Sequence, residues 1–113
     1  MQKITSISND SKQRMTINLE NNEGSFEFAL YFMPTQYSWY YDFIFNDYSS
    51  YGNKVVLNIN ALRYLKNILP FGIMFSAVGD IEPFQQDDFS SGRVEMYVLN
   101  KTEVQELEET VYV

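Results

Sequence analysis

The sequence predicts a mainly β fold, a small antiparallel sandwich or barrel with one short internal helix and a C-terminal helix. Three observations predict it. Period-two alternation of apolar and polar residues runs through most of the chain, turn-forming Asn, Gly and Pro residues interrupt it at short intervals, and helical spacing is confined to residues 60–69 and the stretch after Asn100. With 113 residues, 45% of them hydrophobic and 17% aromatic, the chain is long and apolar enough for one globular core. One β-rich domain is therefore expected over residues 1–113, with residues 100–113 as a helical or extended acidic tail.

The first long strand is read at residues 13–19, where Met15, Ile17 and Leu19 alternate with Arg14, Thr16 and Asn18 before NNEG turns the chain. Over residues 26–33, Phe26, Phe28, Leu30 and Phe32 share one face and Glu27, Ala29, Tyr31 and Met33 the other. Pro34 has no N–H to give and ends that ladder. Over residues 36–46, Tyr37, Trp39, Tyr41, Phe43 and Phe45 oppose Ser38, Tyr40, Asp42, Ile44 and Asn46, and the short link after Met33 makes an antiparallel hairpin the natural pairing.

NDYSSYG then reads as loop, and Val55, Leu57 and Ile59 as a further strand. Leu62, Leu65 and Ile68 recur at helical spacing behind Asn60, a good N-cap, and Pro70 with Gly72 stops the run. Phe71, Ile73, Phe75 and Ala77 resume alternation, GDIEP turns the chain, and Val94, Met96 and Val98 form the last long strand. In NKTEVQELEET, Asn100 with Glu103 and Thr102 with Gln105 are overlapping capping boxes. Val104, Leu107 and Val111 would form the apolar stripe of that helix, opposite Glu103, Glu106, Glu108 and Glu109.

Composition excludes several classes of function. A formal charge of −7 would repel phosphate backbones and anionic bilayers, so neither nucleic acid nor membrane is an expected partner. Absence of cysteine removes thiolate catalysis and thiolate metal sites, and absence of histidine removes imidazole general bases, His-containing triads and His-ligated metals. MQKITSISND lacks the basic flank and apolar run of a secretory signal, so synthesis in the cytoplasm is expected. No phosphate-cradling glycine loop or nucleophile elbow occurs, and no cofactor is expected.

The stretch QQDDFSSGR, residues 85–93, concentrates polar chemistry. Adjacent Asp87 and Asp88 would point to opposite faces of a strand and could not act as an acid/base pair. Read as a calcium loop from Asp87, Gly92 falls on the sixth position, but Phe89 and Val98 occupy ligand positions that need oxygen. The reading is therefore a structural loop. Gly92 supplies a positive φ, Ser90 and Ser91 bond locally, Phe89 anchors the loop in the core, and Asp87 or Asp88 accepts from amides or pairs with Arg93. That pair is expected to be exposed and to contribute only about 0 to 1 kcal/mol, against roughly 3 to 5 kcal/mol for an emptied Phe89 site.

Aromatic residues exceed what one face per strand requires. Tyr31, Met33, Tyr40 and Ile44 load the faces opposite those already assigned to a core, which suggests a covered second face. Tyr31, Tyr37, Trp39 and Tyr40 are the candidates for contact with a protein partner, tyrosine being rigid, large and amphipathic. The alternative is a β-barrel that binds a small ligand or carbohydrate in an aromatic-lined pocket.

SND with QRMTINLENNEG, then ALYFMPTQYSW, ILPFGI and EPFQQDDFSSGRVEMYVLN, resemble as a set the cyanophage-type baseplate plug family of contractile-tailed bacteriophages. The resemblance covers residue 2 to about residue 104 and leaves out the acidic tail. Its most specific part is Pro83, Phe84, Asp87, Asp88, Phe89, Gly92, Arg93 and Tyr97 in that spacing, supported by Trp39 with Asp42 and by Gly72. It implies a β-rich structural protein of the virion or prophage tail, in or under the baseplate hub, that helps to close the tube. It further implies hub, tube or spike proteins as partners and no enzyme activity, and an axial position is compatible with a homo-oligomeric ring of few copies.

Overall fold

The computed structural model describes residues 2–5, 7–19, 24–57 and 69–111. Within them lie β1 (Gln2–Ile4), β2 (Lys12–Asn18), β3 (Ser25–Met33), β4 (Ser38–Phe45), β5 (Tyr48–Lys54), β6 (Phe71–Ala77), β7 (Val94–Asn100) and α1 (Lys101–Val111). Strands β2-β3-β4-β5 form one antiparallel sheet in that order and β1-β7-β6 a second, so the layers are those of a sandwich.

Alternation dictates which face is buried. Register sets Met15 opposite Phe28 and Ile17 opposite Phe26, and then Phe28 opposite Phe43 and Leu30 opposite Tyr41. In the second sheet Ile73 faces Val98 and Phe75 faces Met96. These inward side chains form one buried cluster between the sheets. Rings carry much of the contact across the layers: Phe26 stacks on Phe71 with centroids 4.3 Å apart, and Tyr41 meets Phe75 at 5.6 Å. Aromatic pairs of this geometry add about 0.5–1.5 kcal/mol each beyond the apolar area they bury.

A single 3₁₀ turn at Pro34–Gln36, closed by the Tyr37 amide donating to the Pro34 carbonyl, joins β3 to β4 as the expected hairpin. Two expectations are corrected at the next element. NDYSSYG is not loop: Asn46, with φ 53°, and Asp47 make a two-residue turn, after which β5 pairs with β4 from Phe45↔Tyr48 onward. Its polar sequence is tolerated because, among the described residues, β5 pairs with β4 alone and lies at the sheet edge. Val55 and Leu57 do not continue a strand. Val55 is buried, and its amide donates to the Trp39 carbonyl at 2.9 Å, an anchor rather than a ladder.

Ile59 and all but the last residue of the internal helix expected at residues 60–69 lie outside the described residues, and that last residue, Leu69, is buried in the core. At the C-terminus the tail is helical. Asn100 caps α1: its side chain accepts from the Glu103 amide at 2.8 Å and its own amide donates to the Glu103 carboxylate at 3.1 Å. The Asn100 box is therefore the one that sets the start of α1, which packs back on β6 and β7 and buries Val104.

Candidate contact loop and aromatic sheet face

Residues 78–93 cross from β6 to β7 at one end of the sandwich, and their backbone bonds close on themselves. Asp88 N donates to Gln85 O, Ser91 N to Asp87 O, Gly92 N to Phe89 O and Val94 N to Asp88 O. Gly92 has φ +86°, the left-handed conformation that lets the chain leave this turn and enter β7. Ser90 and Ser91 hydroxyls donate to the carbonyls of Asp87 and Asp88.

Asp88 is the hub of the loop and is 2% exposed. Its Oδ2 accepts from the Phe84 amide at 2.7 Å, the Gln85 amide at 2.8 Å and Arg93 Nη2 at 2.8 Å, while Oδ1 accepts from Arg93 Nε at 2.8 Å. Burial opposes its ionised form, but the Arg93 bonds, the two amides and the guanidinium charge outweigh this and hold the carboxyl below its ordinary value. Arg93 extends the lock in the other direction. Its Nη1 donates to the Ile81 carbonyl at 2.9 Å and its Nη2 to the Glu82 carbonyl at 3.3 Å, and its guanidinium lies 5.2 Å from the Phe84 ring centroid.

Phe89 is buried beneath the loop, edge-on to Trp39 at 5.3 Å and to Phe75 at 6.1 Å. Trp39 Nε1 donates to the Gln85 carbonyl at 2.8 Å, tying the first sheet to the loop. Pro83 is buried and Asp87 exposed. Tyr97 stands apart on the outer face of β7, with its hydroxyl bonded to Glu95, whose carboxylate also lies 3.5 Å from Lys3.

The outer face of β3 and β4 brings Tyr31 and Tyr40 together as a stacked pair at 6.1 Å, both half-buried. Asp42 Oδ1 accepts from the Tyr31 hydroxyl at 3.0 Å and from the Gly52 amide at 2.7 Å. Burial and this bond to the carboxylate raise the Tyr31 pKa above its ordinary value. Opposite Asp42, Tyr51 and Gly52 form a bulge in β5, and Gly52 takes φ +70° to present its amide.

A family model described as "Cyanophage baseplate Pam3 plug gp18" matches residues 1–101. The chain belongs to this family. Comparison with curated proteins gave no match. The plug match takes in both sheets, the Asp88–Arg93 lock and the start of α1.

Two expectations about this plug-family chain change with its geometry. Trp39, expected among the contact residues, has no exposed surface and belongs to the core, because it lies on the inward face with Tyr41 and Phe43. The Asp88–Arg93 pair is not exposed on the Asp88 side, and adjacency in sequence gave no sign of the two amides that complete its shell. Sequence reading also passed over Val78 and Ile81, which are strongly exposed. The available signal was two apolar residues in a turn segment outside any alternation. Nothing favours the ligand-binding barrel: the inward aromatics pack against one another, and an open groove between β1 and the loop has a volume of about 200 Å³, below the roughly 300–1,000 Å³ usual for ligand sites.

Proposed function

We propose that the chain is a non-catalytic structural protein of a phage tail baseplate. It plugs or stabilises the central hub and tube end through contacts with hub, tube or spike proteins. The observation that carries this reading is the plug-family match over residues 1–101. The site chemistry agrees with it. Asp88, the one buried carboxylate among the described residues, is 2% exposed and bonds Arg93 and two amides, an arrangement that holds a loop in place rather than one that meets a substrate.

On this reading the protein is made in the host cytoplasm and ends in the virion tail. No helix among the described residues is long and apolar enough to cross a membrane. The rigid loop around Pro83, Phe84, Asp87, Asp88, Phe89, Gly92 and Arg93, and the outer tyrosines Tyr31, Tyr37 and Tyr40 with Tyr97, are the proposed contact elements. Deleting the gene from a tail-producing genome is the test. Tails that lack only this protein, show an altered tube end by electron microscopy and regain it when the purified chain is added would support the role; complete tails with an unchanged tube end would refute it.

A further inference from the structure

Among the described residues, the large apolar side chains left strongly exposed are Tyr37, Tyr51, Val78, Ile81 and Phe84. They are not scattered. Val78, at 73% exposure, Ile81 at 57% and Phe84 at 42% fall within seven residues of one connection, and Arg93 fixes all three. Its carbonyl accepts from the Val78 amide at 2.9 Å, its Nη1 donates to the Ile81 carbonyl, and its guanidinium covers one side of Phe84. Tyr37 lies two residues before Trp39, whose indole reaches Gln85, so the β3–β4 turn shares this end of the sandwich. A connection whose backbone is tied at Val78, Ile81 and Phe84 has part of its ordering cost met in the free protein, which favours a preorganised docking surface.

The charges around it specify the partner. Asp80, Glu82 and Asp87 are all exposed on the same connection. Of the basic side chains near this connection, Arg93 is occupied by Asp88 and Lys54 lies 4.0 Å from Glu82, while Lys12 is exposed at the start of β2. We infer that this end of the sandwich, centred on Val78, Ile81 and Phe84, docks into an apolar concavity rimmed by Arg or Lys on another protein of the baseplate. The inference rests on the baseplate reading and adds to it the contact end and the partner's chemistry. It concerns one contact, made by this loop end, and Tyr51, exposed on β5, lies outside it.

The test uses tails assembled without this gene and measures uptake of the purified full chain. Wild type should bind, more weakly as salt rises. Ile81→Glu and Val78→Ser should each keep the wild-type melting temperature and lose at least about tenfold in affinity, as central apolar contacts do. Asp80→Lys should also weaken binding, whereas Tyr51→Ser should not. Failure of wild type to bind would sink the baseplate reading and this inference together. Wild-type binding left intact by Ile81→Glu, or abolished by Tyr51→Ser, would sink the inference alone. A concentration-dependent dimer lost in Ile81→Glu would give this end to a second copy of the chain and likewise overturn it.

Discussion

Arg93 grips Asp88 in a two-pronged pair, Nε on Oδ1 and Nη2 on Oδ2, both at 2.8 Å, with the carboxylate buried and the guanidinium partly open to solvent. The same Arg93 holds the Ile81 and Glu82 carbonyls, and the same Asp88 holds the Phe84 and Gln85 amides. Two side chains five residues apart thereby fix a connection of sixteen residues, 78–93, that has no sheet ladder of its own. Such planar, charge-assisted bonding is about twice as strong as neutral pairing and is specific to Arg.

Asp88→Ala is expected to destabilise the fold by roughly 3 kcal/mol, the low end for breaking one side of a buried pair, since Arg93 keeps some access to water. Phe89→Ala should cost a similar amount, roughly 3 to 5 kcal/mol, through lost contact with Trp39 and Phe75. Urea unfolding of both variants checks this. An Asp88→Ala midpoint equal to wild type would show the pair to be as weak as an exposed one.

The long inner strands were legible because their alternation is also their burial: Phe26, Phe28 and Leu30 face the core, as do Trp39, Tyr41 and Phe43. β5 was not legible. An edge strand needs little apolar content, so YSSYGNK carries no period, and the Asn46–Asp47 turn was the one local cue. β1 spans three residues, too few for any pattern. At the loop, the roles of Gly92 and Phe89 follow from residue type, since positive φ favours glycine and a lone Phe among polar residues seeks a core. The burial of Asp88 follows from donors contributed by Phe84, Gln85 and Arg93, and three-dimensional convergence of this kind leaves no periodic trace.

Asn100→Ala should remove the acceptor for the Glu103 amide and cost about 1 kcal/mol, with Asn100→Asp close to neutral because a carboxylate accepts the same bond. Thermal melts of the full chain give the comparison. Equal losses for Ala and Asp would mean that the cap bond does not hold the start of α1.

Gly92→Ala should destabilise by about 1 to 2 kcal/mol for a conformational reason alone. A Cβ at this position meets nothing within 4 Å, so there is no clash to relieve, but φ +86° is costly for any L side chain. Gly92→Asn, which tolerates the left-handed region better, should recover part of the loss. If Ala and Asn prove equally stable with wild type, the turn has another conformation open to it.

The final prediction concerns acid. In the unfolded chain Asp88 titrates near the ordinary carboxylate value of about 3.9, whereas in the fold Arg93 and the two amides overcome burial and hold it lower. Between those two values the unfolded state binds more protons than the native state, so stability rises with pH there. The contribution of Asp88 is complete above the unfolded value and vanishes as pH falls through the folded one. Urea midpoints measured from pH 7 downward should therefore carry a constant Asp88 contribution to about pH 5 and lose it progressively below about pH 4. Asp88→Asn should be less stable than wild type at pH 7, and the gap should close in acid, by up to about 1.4 kcal/mol for each pH unit crossed between the two values. A gap that stays constant from pH 7 to pH 2 would show that Asp88 titrates alike in both states and that the Arg93 lock does not depend on its charge.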